Sequence, residues 1–413
     1  MGSDQAPAGG ISAVRNGAPA YSVEQLDLLR GLAIVLMIVN HTGVGLLDPD
    51  LQQHGPLAAL MFLGSFAPVV FFFTTGFGVG VGRRMVDLSA FGSTLLKAGL
   101  LVVADQFMFW RKSIPGGVDF LGFIALSSVL VTAIGMSKRP VWLCAGLIFS
   151  VLVLRFGFGP WIRTRFDLHG VAAWFVGVTQ VEPYPFSPWI VYPLLGFLLA
   201  RCYLTAAGSV MSFLWPWPSA TAICALVLAA VLYRAHFVFF RWGAMSIAFF
   251  VLSVGVGYIC VLLAWMVASR WSFATRLLSL RGIASLAVVP IHYALIELLV
   301  ASGVAPLGGF TMPAAAAGIT TLSLLSAKVF ANGVRRWISR VSLKAVWYPL
   351  VALVALCAGV TWMVPRRSVM FAAFVIGQLA VTALLATRVR QAAAGIGTDG
   401  LKVSAGQPRS QIG

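Results

Sequence analysis

The chain has 413 residues, of which 60% are hydrophobic and only 10% are charged. Soluble domains carry about 25% charged residues, so this composition excludes a soluble protein and predicts an α-helical membrane protein. The net charge of +17 does not indicate nucleic-acid binding, because Lys and Arg stand singly or in pairs at the ends of apolar segments. The five cysteines form no CxxC motif and have no His partner spacing, so no metal site is predicted.

Apolar runs recur along the chain and predict an all-α bundle of about twelve transmembrane helices, within a range of ten to twelve. The predicted spans are 26–47, 57–82, 94–110, 118–136, 140–156, 186–203, 219–234, 243–268, 282–303, 309–330, 344–364 and 368–388. The Gly-, Ala- and Ser-rich segments 1–20 and 391–413 are expected to be disordered tails of one membrane domain, 21–390.

The distribution of charge also predicts an orientation. If the spans alternate from a cytoplasmic N-terminus, most of the 29 Lys and Arg residues lie on the cytoplasmic side. We therefore expect both termini in the cytoplasm and a location in the plasma (inner) membrane. Segment 1–20 has no apolar core, so no cleavable signal peptide is expected, and the first span directs insertion.

The first predicted span carries an unusual stripe of polar residues. Arg30 and His41 differ by only about 20° in direction on an ideal helix, and Asp27 lies within about 60° of both. Polar side chains are costly inside a membrane and mark functional sites by default. Asp27 and Arg30 could equally form an ion pair at the start of the helix, since they are three residues apart.

Three stretches of sequence together resemble one family. The first reads Leu-Asp-Leu-Leu-Arg-Gly-Leu-Ala over 26–33 and is followed by Met37 and Asn40. In the second, His54 precedes Pro68 by fourteen residues, and the third reads Tyr-Pro-Phe-Ser-Pro-Trp-Ile over 184–190. A weaker fourth stretch pairs Ser285-Leu286 with His292-Tyr293. These stretches resemble the heparan-α-glucosaminide N-acetyltransferase-like family, within a wider group of transmembrane acyltransferases that includes the acyltransferase-3 group.

The resemblance implies transfer of an acyl group, usually acetyl, from cytoplasmic acyl-CoA to an acceptor across the membrane. In that family, an Asn at the end of the first span and a His before the second are linked to catalysis, and they correspond to Asn40 and His54 here. In the acyltransferase-3 group the His closes the first span instead, which corresponds to His41. The sequence carries both histidines, so both are candidates. The implied acceptor is a hydroxyl or amine, as on a sugar or glycan.

The chemistry of these residues suits acyl transfer. Histidine is a general base near neutral pH or a nucleophile, and a neutral Asn amide can donate to an oxyanion. The phosphates of CoA favour arginine, and Arg30, Arg83 and Arg84 lie at the predicted cytoplasmic side. Substrate-binding or structural polar roles are assigned to four more residues: Asp27, Trp189, His292 and Glu297.

The main alternative is a proton-coupled transporter or flippase without acyl transfer. It is suggested by charged residues within predicted spans, namely Lys97, Asp105, Asp119, Glu297 and Lys328. The sequence lacks the paired, Gly- or Pro-broken short spans that indicate a transporter. The expected partners are acyl-CoA, the acceptor and membrane lipids. A homodimer is a possible assembly, and no nucleic-acid partner is expected.

Overall fold

The computed structural model describes residues 24–402 except 54, 83–87, 109–116, 178–183, 206–216, 235–244, 281 and 365. Helices dominate this part of the chain. They are α1 (Glu24–Leu46), α2 (Gly55–Gly64), α3 (Ala67–Gly82), α4 (Leu88–Gln106), α5 (Phe120–Gly135), α6 (Pro140–Leu152), α7 (Gly159–Arg165), α8 (Gly170–Val176), α9 (Phe186–Trp189), α10 (Val191–Thr205), α11 (Trp217–Arg234), α12 (Ile247–Arg270), α13 (Ser272–Leu278), α14 (Ile283–Ala301), α15 (Thr311–Arg340), α16 (Leu343–Met363) and α17 (Arg367–Lys402). A π-helical segment, Val153–Phe158, joins α6 to α7.

The helices confirm the prediction of an all-α multi-pass membrane bundle. Within the described ranges, eight helices are long and apolar enough to cross a membrane, and three shorter apolar helices accompany them. Eleven of the predicted spans coincide with these helices, and the remaining one, 94–110, overlaps α4. The last helix continues to Lys402, into the segment predicted as a tail. Segments 1–23 and 403–413 lie outside the described residues.

Helix α3 packs unusually closely against α10, because small residues face each other across the contact. A Cβ added at Gly76 would collide with the carbonyl oxygen of Pro193, and one added at Gly196 would collide with that of Phe73. Small residues let helix backbones approach in membranes, where van der Waals contact rather than hydrophobic burial drives association. Helices α3 and α10 are therefore closely packed, and α3 also contacts α1.

Helix α1 runs through the middle of the bundle and contacts α2, α3, α12, α13, α14 and α15. Its residues Leu29, Ala33, Ile34 and Ile38 are buried in the larger of two hydrophobic clusters. The smaller cluster is built around Trp189 and Phe72 on the other side of α3. Phe120, at the start of α5, packs against both clusters and lines two cavities in the described part of the chain.

Candidate functional site

Two cavities lie along α1. The first, here called the histidine cavity, has a volume of about 290 Å³ and is lined by His41, Asp119, Tyr184 and Tyr293 together with apolar side chains. The second, here called the arginine cavity, has a volume of about 430 Å³ and is lined in part by Arg30.

The two cavities share part of their walls. Phe71, Phe120 and Val289 line both. Arg30 and His41 are eleven residues apart on α1, which corresponds to about 16 Å along the helix axis. The polar stripe of α1 therefore has one end in each cavity, and only apolar side chains are common to both linings.

His41 is held by a chain of hydrogen bonds that fixes its tautomer. His292 on α14 is fully buried, and its Nδ1 lies 2.8 Å from the carbonyl oxygen of Val288, which can only accept. Nδ1 of His292 therefore carries the proton, and Nε2 of the neutral ring is an acceptor. His41 Nδ1 lies 2.8 Å from that Nε2 and so donates to it. This leaves Nε2 of His41 as the acceptor, which is the form a general base needs.

Tyr293 completes the surroundings of the His41 ring. Its hydroxyl lies 3.3 Å from His41 Nε2 and is placed to donate to it. The His41 ring also stacks on His292, at 5.1 Å between centroids, and on Tyr293, at 4.8 Å. The ring therefore has a fixed position and a fixed orientation at the wall of the histidine cavity.

A carboxylate and a phenol contribute further polar groups to the same cavity. Asp119 is the N-cap of α5, and its side chain accepts a hydrogen bond from the Phe120 amide at 2.8 Å. Burial raises the pKa of Tyr184 well above its usual value, and the neighbouring Asp119 raises it further. Tyr184 therefore stays protonated and can donate a hydrogen bond at neutral pH.

Asp105 on α4 supports this start of α5. Its two carboxylate oxygens accept from the backbone amides of Asp119, at 2.8 Å, and Leu121, at 3.0 Å. Two carboxylates thus lie at the positive end of the α5 dipole. The charge of Asp105, one of the intramembrane charges that suggested transport, is satisfied by backbone groups.

Asn40 connects α1 to α2. Its amide Nδ2 donates to the carbonyl oxygen of Met61 at 3.0 Å. Gly64 lies directly against the same turn, and a Cβ there would meet the Asn40 backbone. Among the described residues that line the histidine cavity, Asn40 is absent although its neighbour His41 is present. The geometry therefore gives Asn40 the role of a brace between helices.

Arg30 forms an ion pair with Asp27 on the same helix, with 2.8 Å between Nη1 and Oδ1. Asp27 is buried, and the Arg30 side chain is 27% exposed at the arginine cavity. Lys97 of α4 lines the same cavity, together with the hydroxyl-bearing residues Thr74 and Thr75. Two cations and several hydroxyls therefore border this cavity.

The other predicted site residues lie elsewhere. Trp189 is fully buried and makes edge contacts with Phe72 and Tyr184 in the smaller cluster. Glu297 pairs with the exposed Arg367 of α17 at 3.2 Å. His54, Arg83 and Arg84 lie outside the described residues.

Sequence reasoning missed three residues of the histidine cavity. The sequence analysis identified Asp119 only as a charge within a predicted span. It named Tyr184 and Tyr293 only as members of the stretches that resemble the family. A signal existed for Asp119, because an Asp directly before an apolar helix is a strong N-cap candidate. Within the described part of the chain, no group of three or more His, Cys, Asp or Glu residues is arranged to hold a metal ion.

The fold and the cavity define a multi-pass integral membrane protein with a histidine at the wall of a cavity inside the helix bundle. A sequence model described as heparan-alpha-glucosaminide N-acetyltransferase, catalytic, matches residues 23–230, just over half of the chain. The chain belongs to this family of membrane acetyltransferases, which confirms the resemblance seen in its motifs. No curated protein matches the chain. His41 lies within the matched segment, whereas His292 and Tyr293 lie beyond it.

Proposed function

We propose that the protein transfers an acyl group, with acetyl as the expected case, from cytoplasmic acyl-CoA to a hydroxyl or amine of an extracytoplasmic sugar or glycan. The observation that carries the proposal is the chain from Val288 through His292 to His41, which leaves His41 Nε2 as an acceptor at the cavity wall. A transferase needs a base in this form, because the attacking group must lose a proton.

The donor is proposed to enter through the arginine cavity. Arg30 and Lys97 would contact the phosphates of CoA, because both cations border a cavity large enough for part of the molecule. The acyl-bearing arm would then pass Phe71, Phe120 and Val289, which line both cavities, to bring its thioester to His41. The positive-inside pattern supports a cytoplasmic location for the Arg30 end of α1. Arg83 and Arg84 stay predicted contacts for CoA.

In the proposed reaction, His41 Nε2 takes the proton of the acceptor hydroxyl or amine as that atom attacks the thioester carbonyl carbon. The new C–O or C–N bond forms, the C–S bond breaks, and the departing thiolate of CoA takes the proton from His41. The products are the acylated acceptor and free CoA, whose thiol carries the proton. The imidazolium form of His41 would be stabilised by its hydrogen bond to His292 Nε2, in the way a second group orients the base in catalytic triads.

The oxyanion of the tetrahedral intermediate needs donors near the same carbon. Tyr184 and Tyr293 line the histidine cavity, and their hydroxyls are the proposed donors. The Tyr293 hydroxyl becomes available when His41 Nε2 takes the acceptor proton and no longer accepts from it. Asn40 is proposed to act as a positioning residue instead, because its amide holds Met61 of α2. An acyl-histidine intermediate on His41 is the covalent variant of this mechanism, and it would use the same Nε2.

His54 stays a second candidate for the base. The family resemblance implies a role for it, whereas the hydrogen-bond chain favours His41. The rival transporter function has less support, because Glu297 is paired with Arg367 and Lys328 donates to two carbonyl oxygens at the end of α13. Both of these charges have structural partners.

The proposal places both termini in the cytoplasm and the protein in the plasma (inner) membrane. The orientation follows from the distribution of Lys and Arg along the spans. The expected homodimer stays a prediction.

The test is acceptor-dependent release of CoA from acetyl-CoA by the purified, full-length protein in lipid vesicles. The first acceptor to test is an α-glucosaminide, because the family description names one. His41→Ala and His54→Ala are compared with His169→Ala, because the His169 imidazole is exposed and pairs with Asp167 at 3.1 Å.

We expect His41→Ala to abolish CoA release and His169→Ala to leave it unchanged. Loss of release in His54→Ala alone would move the base to His54 and overturn the assignment to His41. Unchanged release in the His41→Ala, His54→Ala double variant would refute the histidine mechanism. Movement of the sugar across the vesicle without consumption of acetyl-CoA would instead support the transporter.

A further inference from the structure

The two cavities approach each other from opposite ends of α1, and only a thin layer separates them. The arginine cavity is lined by Arg30 and the histidine cavity by His41, and these residues are about 16 Å apart along the helix axis. The hydrocarbon core of a bilayer is about 30 Å thick, so this layer is thinner than the membrane interior. A bundle with two such cavities needs a local barrier against water and protons.

The side chains that the two cavities share are apolar and come from three helices. Among the described residues, they are Phe71 of α3, Phe120 of α5 and Val289 of α14. The Phe120 ring meets the Phe71 ring edge-on, with 5.1 Å between centroids, and stacks on the Phe72 ring at 5.5 Å. Both arrangements are favourable for aromatic pairs. A narrow apolar constriction of this kind blocks ions and protons because it excludes water.

Phe120 is held in this place by the backbone on both sides of it. The carboxylate of Asp105, which is 1% exposed, accepts from the amides of Asp119 at 2.8 Å and Leu121 at 3.0 Å. These amides flank Phe120, and amides at the start of a helix have no acceptor within the helix. Gly122 permits the contact, because a Cβ there would lie 2.6 Å from an Asp105 carboxylate oxygen. Asp105 therefore fixes the backbone that carries the Phe120 ring.

We infer that Phe71, Phe120 and Val289 form an apolar seal between the two cavities, and that Asp105 positions Phe120 in this seal. The seal prevents water and protons from crossing the bundle between the arginine cavity and the histidine cavity. This function goes beyond the proposed acyl transfer, because a barrier acts whether or not a reaction takes place. Asp105 acts through the backbone of α5, so it is a positioning residue.

The test is the proton permeability of lipid vesicles that contain the full-length protein. It is measured as the decay of an imposed pH gradient, with a pH-sensitive dye trapped inside the vesicles. No acetyl-CoA is added, so the result does not depend on turnover. Phe120→Ala removes the ring from the seal, and Phe120→Leu retains an apolar side chain there. Phe66→Ala is the matched control, because the Phe66 ring is buried and stacks on Phe249 but lines neither cavity.

We expect Phe120→Ala to dissipate the gradient roughly tenfold faster than the wild type, because water enters the widened constriction. Phe71→Ala should have the same effect, and it provides the measurement if Phe120→Ala does not fold. Phe120→Leu and Phe66→Ala should hold the gradient to within about twofold of the wild type, because the constriction stays apolar and narrow in both.

Two further variants test the role of Asp105 by separate routes. Asp105→Asn removes one carboxylate oxygen, so one of the two flanking amides loses its acceptor. Gly122→Ala keeps the carboxylate but displaces it from these amides with the added Cβ. Both variants should dissipate the gradient about threefold faster or more, because Phe120 is no longer fixed in the constriction. Gly99→Ala on α4 is the control and should not, because an added Cβ there meets nothing within 4 Å.

Three outcomes would overturn the inference. If Phe120→Ala and Phe71→Ala hold the gradient as well as the wild type, these side chains do not form the seal. An equally fast decay in Phe66→Ala would indicate a general loosening of the bundle instead. If Phe120→Ala leaks but Asp105→Asn and Gly122→Ala do not, Asp105 does not position Phe120. Failure of the proposed function would be seen separately, as absence of CoA release from acetyl-CoA by the wild type.

Discussion

Replacement of His292 tests the proposed role of the hydrogen-bond chain most directly. His292 is fully buried, and its Nε2 is the acceptor for His41 Nδ1 at 2.8 Å. His292→Leu keeps a buried side chain of comparable size but removes this acceptor. His292→Gln can place its amide oxygen near the position of Nε2, so it restores an acceptor while it loses the ring.

The expected magnitude follows from the charge that His41 acquires during the reaction. A hydrogen bond to a charged group contributes about 1.5–3 kcal/mol, which corresponds to a loss of about 10- to 150-fold in kcat. We expect His292→Leu to show this loss with little change in the KM for acetyl-CoA, because Arg30 and its cavity are untouched. His292→Gln should recover at least a third of the loss in kcat of His292→Leu, measured on a logarithmic scale.

The assay is steady-state CoA release by the proteins in vesicles, with thermal unfolding measured in parallel. The Tm separates a folding defect from a catalytic one, since an unsatisfied buried N–H of His41 also destabilises the fold by about 1–3 kcal/mol. A kcat of His292→Leu within twofold of wild type, in a protein where His41→Ala is inactive, would refute the reasoning. Equal losses in the Leu and Gln variants would also contradict it.

Three further predictions concern the donor cavity, the α1–α2 brace and the α3–α10 contact. Arg30→Met should raise the KM for acetyl-CoA at least fivefold and lower the Tm, because the buried Asp27 carboxylate loses its ion pair with Arg30. Adding Asp27→Asn, which removes the buried charge, should restore the Tm but not the KM. Asn40→Ala should destabilise the protein by about 1 kcal/mol, because it loses the hydrogen bond from Asn40 to α2, and it should keep most of the wild-type kcat. A 100-fold lower kcat at unchanged Tm would instead favour a direct role of Asn40 at the oxyanion. Gly76→Ala should abolish the monodisperse peak in detergent gel filtration, because the added Cβ would collide with α10. Gly99→Ala on α4 is the control and should leave the peak intact, because an added Cβ there meets nothing within 4 Å. Equal behaviour of the two variants would contradict the close packing of α3 against α10.

The sequence predicted the helices well because membrane insertion depends on local composition. A span needs about 20 apolar residues and internally satisfied backbone groups, and both properties can be read from a short window. The predicted break between spans near residues 136–140 illustrates this, since α5 ends at Gly135 and α6 begins at Pro140, a residue favoured in the first turn of a helix. The family was likewise recognisable from its motifs.

The sequence predicted less well which residues of different helices contact each other. The stripe on α1 predicted that Arg30 and His41 lie on one side of the helix, but nothing in it specified the neighbour of His41. That neighbour, His292, is 251 positions away, and its sequence predicted only a substrate-binding or structural polar role. For Asn40, the family resemblance suggested a catalytic role, and the structure adds that its amide donates to the carbonyl oxygen of Met61.

The sequence by itself determined that this is a helical, multi-pass membrane protein of an acetyltransferase family, and that its first span carries polar groups at both ends. Only the tertiary structure decided which of these groups meet in a cavity, which tautomer His41 adopts, and that Asp119 and Tyr184 lie beside it. The physical reason is that hydropathy is a property of each segment alone. Hydrogen bonds between helices depend instead on how the segments rotate and pack against one another, which no single segment encodes.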